Sequence, residues 1–217
     1  MTTLTSTDGH EFDAYEVRPD GATASIVVIQ EIFGVNSHIR SVTDRFAEAG
    51  YHAIAPAVFD RVERGVELDY DADGVAKGRD LAGALDPANT MADIAAAIAQ
   101  VASTGPVGIV GYCFGGTMAW LASAQLPVAA AVGYYGGGIA GLNTLEPTVP
   151  TMLHFGELDA HIPMSDVEKI RAAHPSVPVY SYDADHGFNC DARASYDAAA
   201  AATAYERTLA FFAEHLS

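Results

Sequence analysis

The clearest chemical motif in the sequence is a cysteine between two glycines, Gly111–Gly115 (GYCFG). It follows the apolar segment Val107–Gly111 and leads into Gly115–Ala124, a segment with helical character. A strand, a sharp turn and a helix together are the context of a nucleophile elbow, here with cysteine in place of the usual serine. The helix N-terminus favours a thiolate and a developing oxyanion. We therefore predict that Cys113 is a nucleophile.

An acid and a base follow the elbow in the chain order that such a nucleophile requires. Asp159 lies shortly after the apolar segment Pro150–Phe155, and His186 lies just after Val177–Tyr182. The carboxyl ends of parallel strands meet at one edge of a sheet, where α/β active sites are found. We predict that His186 accepts the thiol proton of Cys113 and that Asp159 orients the imidazole ring.

Other polar residues near these strand ends allow competing interpretations. Asp185 could orient His186, but side chains adjacent in sequence tend to point apart at a strand end, which favours Asp159. His154 and His161, taken with Asp159 and His186, match no standard spacing of metal ligands. We therefore expect neither a metal nor a cofactor at these residues.

Apolar and amphipathic segments alternate along the chain. Strands are predicted over residues 4–7, 12–17, 25–30, 52–55, 107–111, 128–134, 150–155 and 177–182. Helices are predicted over residues 38–49, 75–85, 86–102, 115–124, 166–173 and 195–216. Alternating strands and helices predict an α/β fold in which helices cover both faces of a mostly parallel, twisted sheet. The polar segment 58–75 is interpreted as a surface excursion, and residues 1–217 as a single domain.

The composition is that of a folded, water-soluble protein. Half of the 217 residues are hydrophobic and mean hydropathy is +0.14, which excludes a disordered chain. The sequence has no apolar run of about 18 residues and no signal-peptide pattern at its start, so a cytoplasmic protein is expected. The two cysteines, Cys113 and Cys190, are expected to be free thiols, and Trp120 is expected in the core.

The net charge is strongly negative. Eleven basic residues against 28 acidic ones give −17. Such a surface repels nucleic acid and anionic membranes, so neither is expected as a partner. A small-molecule substrate with negative charge would need local positive charge to overcome this field.

The motifs as a set resemble the dienelactone hydrolase (carboxymethylenebutenolidase) family of α/β hydrolases. The resemblance extends over nearly the whole chain, through Gln30–Gly34 (QEIFG), Gly50–Pro56 (GYHAIAP), Gly111–Gly116 (GYCFGG), His186–Phe188 (HGF) and Tyr205–Phe212 (YERTLAFF). It implies one α/β-hydrolase domain that cleaves a lactone or an activated ester of a small molecule. We expect no cofactor, and either a monomer or a small homo-oligomer.

The resemblance also implies roles that spacing does not reveal. Glu31 would lie beside Cys113 and control its protonation, and the backbone N–H groups of Ile32 and Phe114 would form the oxyanion hole. Arginines would bind a substrate carboxylate. Here this chain departs from well-known members, which carry serine directly after the catalytic histidine and arginine a few residues later. The candidates for substrate binding in this sequence are Arg79, Lys77, Gly187 and Arg193.

Three other functions are compatible with the sequence. The first is a broader carboxylesterase or thioesterase without a preference for lactones. The second is a non-catalytic binding module in which Cys113 is unreactive. The third is an interaction protein that uses its acidic surface, although no motif supports it.

Overall fold

The computed structural model describes residues 1–217 and contains one eight-stranded sheet, with strand order β1-β2-β4-β3-β5-β6-β7-β8. The first two strands form an antiparallel hairpin, β2 pairs antiparallel with β4, and every later pairing is parallel. The strands are β1 (Thr2–Thr5), β2 (Glu11–Val17), β3 (Ser25–Ile29), β4 (His52–Pro56), β5 (Val107–Tyr112), β6 (Ala130–Tyr134), β7 (Thr151–Gly156) and β8 (Val179–Tyr182).

Six α-helices cover the sheet, which confirms the predicted α/β architecture. They are α1 (Ser37–Glu48), α2 (Ala72–Ala84), α3 (Pro87–Val101), α4 (Phe114–Gln125), α5 (Met164–Ala173) and α6 (Ala198–His215). Short 3₁₀ turns lie at Val58–Arg61, Ala102–Thr104 and Ile139–Leu142. None of the helices has the length and apolarity that a membrane crossing requires.

The sheet separates two apolar cores, one on each face. Strand β3 shows why its sequence is continuously apolar: Ile26 and Val28 pack into one core, and Val27 and Ile29 into the other. Successive side chains of a strand point to opposite faces, so a strand covered on both faces must be apolar throughout. As predicted, Trp120 is fully buried in the first core.

Helix N-terminal caps explain where several predicted boundaries differ from the observed ones. Helix α2 begins at Ala72 rather than at residue 75, because the Asp71 carboxylate accepts the backbone N–H of Gly74 at 2.8 Å. Helix α6 begins at Ala198 rather than at residue 195, because Asp197 caps it in the same way.

The segment 58–75 is more than the predicted surface excursion. Val58, Phe59 and Asp60 are buried, and Gly34 forms an isolated β-bridge with Glu67. This contact holds the segment against the loop after β3, which borders the site described next.

Candidate active site

The turn between β5 and α4 has the strained geometry of a nucleophile elbow. Cys113 has φ 55° and ψ −113°, a backbone conformation that residues other than glycine rarely adopt. A Cβ atom on Gly111 would lie 1.8 Å from the carbonyl oxygen of Gly115, and one on Gly115 would lie 2.3 Å from the carbonyl oxygen of Ile29. The two glycines are therefore required by packing, and Cys113 sits directly before the N-terminus of α4.

The structure brings together the three residues predicted from chain order. The Nε2 atom of His186 lies 3.2 Å from Sγ of Cys113, and its Nδ1 atom lies 2.6 Å from Oδ2 of Asp159. The other carboxylate oxygen of Asp159 accepts the backbone N–H groups of His161 and Ile162. Asp159 is thereby fixed in place while it holds the imidazole ring against the thiol.

Asp185 does not contact the imidazole ring of His186. Its side chain is exposed and accepts the backbone N–H of His186 at 2.6 Å, so it caps the turn instead. The preference for Asp159 over Asp185 at the ring agrees with this geometry.

The electrostatics of the site favour a protonated histidine. Burial disfavours the imidazolium of His186, but hydrogen bonds to Asp159 and Cys113 outweigh it and raise the pKa of His186 to about 10. Burial likewise opposes ionisation of Asp159, yet the His186 ring and two backbone donors keep the pKa of that carboxyl below its usual range. The imidazolium of His186 thus lies within hydrogen-bond distance of the sulfur of Cys113.

Two backbone N–H groups, in residues that border the same cavity as Cys113, have no acceptor within the protein. Ile32 lies in the loop after β3 and Phe114 is the first residue of α4, and neither N–H donates a hydrogen bond. The N–H of Gly115 donates to the carbonyl of Gln30 at 3.1 Å and so ties the two segments together. Unpaired donors at this position can stabilise negative charge on a substrate oxygen.

A cavity of about 480 Å³ opens over Cys113 and His186. Its walls combine apolar side chains, two arginines and the two residues with free N–H groups. The lining residues are Ile32, Phe33, Val75, Arg79, Cys113, Phe114, Thr117, Met118, Gly137, Gly138, His161, Ile162, His186 and Arg193.

Of the four residues predicted to bind substrate, two line the cavity and two do not. Arg79 and Arg193 line the cavity. Lys77 does not line the cavity: its side chain is exposed and pairs with Glu63 at 2.6 Å, so the structure does not bring this residue into the site. Gly187 lies behind Arg193: a Cβ atom there would come within 2.5 Å of the guanidinium, so the glycine makes room for Arg193 rather than contacting the cavity.

Glu31 is buried near the site but forms no hydrogen bond with Cys113. Its Oε2 atom accepts the hydroxyl of Tyr70 at 3.1 Å, and its Oε1 atom lies 3.5 Å from Nη1 of Arg193. The hydrogen-bonding and ionic partners of the Glu31 carboxylate are thus Tyr70 and Arg193, and the expected control of Cys113 by Glu31 stays a prediction. The sequence did not identify Tyr70 as a residue near the site. It lies in an acidic segment, where a single aromatic side chain is too weak a pattern to indicate a role.

The remaining histidines near the strand ends have different environments. His154 is a core residue, bonded to Tyr182 and Thr208, and burial lowers its pKa to about 3. His161 lines the cavity, and its ring meets His186 edge-on at 5.7 Å between centroids.

Comparison with known proteins identifies the family. The family model described as "Dienelactone hydrolase family" matches residues 12–216. The chain belongs to the dienelactone hydrolase family. A "Carboxymethylenebutenolidase" of Pseudomonas putida is 37% identical over 222 residues, covering 97% of this chain and 94% of that protein. A "Putative carboxymethylenebutenolidase" of Synechocystis sp. is 41% identical over 212 residues, covering 88% of this chain and 86% of that protein.

The solved structures agree with this assignment. The crystal structure of a "Putative Dienelactone Hydrolase" from Klebsiella pneumoniae superposes with a TM-score of 0.84 at 32% identity, covering 97% of each chain. As a member of the dienelactone hydrolase family, the protein is a hydrolase with the α/β-hydrolase fold, as the motifs predicted.

Proposed function

We propose that the protein hydrolyses a lactone or an activated ester through a thioester on Cys113. The observation that carries the proposal is the contact of Cys113 with His186 and of His186 with Asp159 at a strained elbow that opens into a cavity. The names of the relatives from Pseudomonas and Synechocystis support the lactone class.

The first half of the reaction forms the thioester. The sulfur of Cys113 attacks the carbonyl carbon, and the N–H groups of Ile32 and Phe114 bind the oxygen that becomes negative. Removing one such donor typically costs about 3–4 kcal/mol of transition-state stabilisation. The C–O bond then breaks, and the imidazolium of His186 gives its proton to the leaving oxygen. An enolate leaves readily because its charge is delocalised, which favours enol lactones and enol esters.

The second half releases the acid. A water molecule gives a proton to the neutral imidazole of His186 and attacks the thioester carbonyl, using the same two N–H donors for the oxygen. The C–S bond breaks, the carboxylic acid leaves, and Cys113 and His186 regain their starting pair. Asp159 keeps the ring oriented through both proton transfers.

The nucleophile is tested by substitution of its sulfur. We expect Cys113→Ala to lose hydrolysis of both a dienelactone and p-nitrophenyl acetate, and Cys113→Ser to retain only weak activity, since an alkoxide is harder to generate than a thiolate. Thermal unfolding followed by circular dichroism should show that both variants remain folded. Turnover by Cys113→Ala at the wild-type rate would show that Cys113 is not the nucleophile.

The cavity arginines indicate an anionic substrate. Arg79 and Arg193 both line the cavity, where their positive charge offsets the repulsion that a chain with a net charge of −17 exerts on an anion. Each can donate charge-assisted hydrogen bonds to a carboxylate.

Arg79 and Lys77 provide a matched pair on the same helix. We expect Arg79→Gln to raise KM for an anionic lactone about 10-fold or more, since hydrogen bonds to charged groups contribute about 1.5–3 kcal/mol. Lys77→Gln should leave KM unchanged, because that side chain contacts Glu63 outside the cavity. KM for the uncharged substrate p-nitrophenyl acetate should be the same in wild type and in both variants. Equal KM values for the anionic lactone in wild type and Arg79→Gln would instead favour a broader carboxylesterase.

A further inference from the structure

Three potential metal ligands meet behind the active site, at residues to which the hydrolysis assigns no bond-making step. A carboxylate oxygen of Glu31, a ring nitrogen of His38 and the sulfur of Cys190 all lie within 4.8 Å of one another, and all three residues are buried. Their exposed fractions are 0%, 4% and 0% respectively. A carboxylate, an imidazole and a thiol enclosed together without solvent form the donor set that divalent zinc prefers.

The hydrogen bonds leave ligand atoms in this cluster unpaired. Nε2 of His38 is buried without a hydrogen-bond partner, and Oε1 of Glu31 accepts no hydrogen bond, its one close cation being Nη1 of Arg193 at 3.5 Å. A buried polar atom without a hydrogen-bond partner costs free energy, and native proteins rarely leave one. A metal ion bonded to both atoms would remove this cost.

His38 is also oriented as metal-binding histidines are. Its Nδ1 atom lies 3.2 Å from Oδ1 of Asp191, so one ring nitrogen is held by a carboxylate while the other is free. Metal-ligating histidines almost always carry such a carboxylate or carbonyl on the second nitrogen, which fixes the tautomer and raises the basicity of the ligating atom.

An acidic depression lies beside the cluster. A cavity of about 440 Å³ is bordered by Asn36, Ser37, Glu67, Leu68, Asp69, Tyr70, Asp71 and Ala192. Tyr70 bonds Glu31, and Ala192 follows Asp191 in the chain. Glu67 is paired with Arg40, so Asp69 and Asp71 are the carboxylates that raise the local concentration of cations near the buried ligands.

We propose that Glu31, His38 and Cys190 bind one zinc ion behind the active site. Zinc forms bonds of about 2.0–2.3 Å to such ligands, which places two ligand atoms about 3.5 Å apart, so the cluster needs to contract by only about 1 Å. Coordination deprotonates the thiol of Cys190 and releases that proton to solvent. The thiolate and the carboxylate then balance the charge of the ion, and a water molecule or the Tyr70 hydroxyl completes four ligands.

The site shares Glu31 with the wall of the catalytic cavity. The carboxylate that would bind zinc also lies 3.5 Å from Arg193, which lines that cavity. Zinc bound to Glu31 therefore weakens the ion pair between Glu31 and Arg193. Because Arg193 lines the catalytic cavity, metal binding is linked to substrate binding.

Cobalt titration of tag-free Cys113→Ala tests the site, because Cys190 is then the only thiol in the chain. We expect a thiolate-to-cobalt charge-transfer band in the near ultraviolet that saturates at one ion per chain and is bleached by zinc. Zinc should also raise Tm of this variant and slow the reaction of Cys190 with a disulfide reagent. The absence of a band, together with unchanged thiol reactivity, would show that the cluster is only a hydrogen-bonded polar core.

Two further substitutions in the same background locate the ligands. His38→Gln should abolish the band. His174→Gln is the matched control, because His174 is equally buried, has an unpaired Nε2 and carries a carboxylate of Glu146 at 3.2 Å from Nδ1, but belongs to no metal-ligand cluster. The band should persist in His174→Gln. A band that survives in a folded His38→Gln, or that is lost equally in both variants, would overturn the assignment. If His38→Gln does not fold, the test is whether zinc slows the reaction of Cys190 with the disulfide reagent in Cys113→Ala. Protection supports the zinc site, and unchanged reactivity contradicts it.

Discussion

His186 is the residue at which the acid and the nucleophile of the site are coupled. Its pKa is raised from 6.5 to about 10, because Asp159 and Cys113 stabilise the imidazolium more than burial destabilises it. The folded protein therefore keeps a proton that the unfolded chain releases between these two values. The stability from this pair is complete below about pH 6.5 and is lost as pH rises towards 10.

Comparison of wild type with Asp159→Asn measures this coupling. The variant lacks the carboxylate that raises the histidine pKa, so we expect it to be less stable at pH 7 and the difference to shrink as pH rises to 10. Urea denaturation at several pH values gives the free energy of unfolding of each protein. A difference that stays constant across this window would mean that Asp159 does not set the protonation of His186.

The strand–turn–helix element β5–α4 depends on the absence of side chains at its glycines. A Cβ atom on Gly111 would overlap the Gly115 carbonyl, so Gly111→Ala must displace the turn that presents Cys113. We expect a loss of at least about 1–3 kcal/mol in the free energy of unfolding, the usual cost of overpacking, together with a large loss of turnover.

Gly83→Ala is the control for this change. Gly83 is exposed on α2, and a Cβ atom there meets nothing within 4 Å. Alanine should stabilise the helix by about 0.5–1 kcal/mol and leave turnover unchanged. Denaturant unfolding and steady-state kinetics of the two variants provide the comparison, and an active, fully stable Gly111→Ala would show that the elbow is not constrained as described.

At the scale of the whole molecule, the excess of negative charge opposes folding. Its 28 acidic and 11 basic residues leave repulsion that exceeds what surface ion pairs such as Arg40–Glu67 offset, since each exposed pair contributes about 0–1 kcal/mol. Salt shortens the screening length from about 10 Å at 0.1 M to about 3 Å at 1 M.

We therefore expect Tm to rise as KCl increases from low concentration to 1 M. Sodium chloride should give the same rise, because screening depends on ionic strength and not on the cation. Scanning calorimetry measures both series. A Tm that falls with salt would mean that the specific ion pairs contribute more than the general repulsion.

Local patterns in the sequence were sufficient to predict the fold and the convergence of Cys113, Asp159 and His186 at one edge of the sheet. The continuous apolar strands, the glycines around Cys113 and the positions of Asp159 and His186 after strands are all short-range features. Parallel strands of one sheet end at the same edge, so these features converge without knowledge of loop conformations. The sequence-based prediction was accurate for strands, helices and residues whose positions depend only on the alternation of these elements and on residue spacing.

Side-chain direction was decided only by the tertiary structure. Lys77 and Arg79 are two residues apart, and at about 100° per residue they point to nearly opposite sides of α2, so only its packing against the loop after β3 shows which one reaches the cavity. Glu31 turns to Tyr70 and Arg193, which come from segments distant in sequence. Contacts of this kind depend on how whole segments pack against each other, and residue spacing carries no record of that packing.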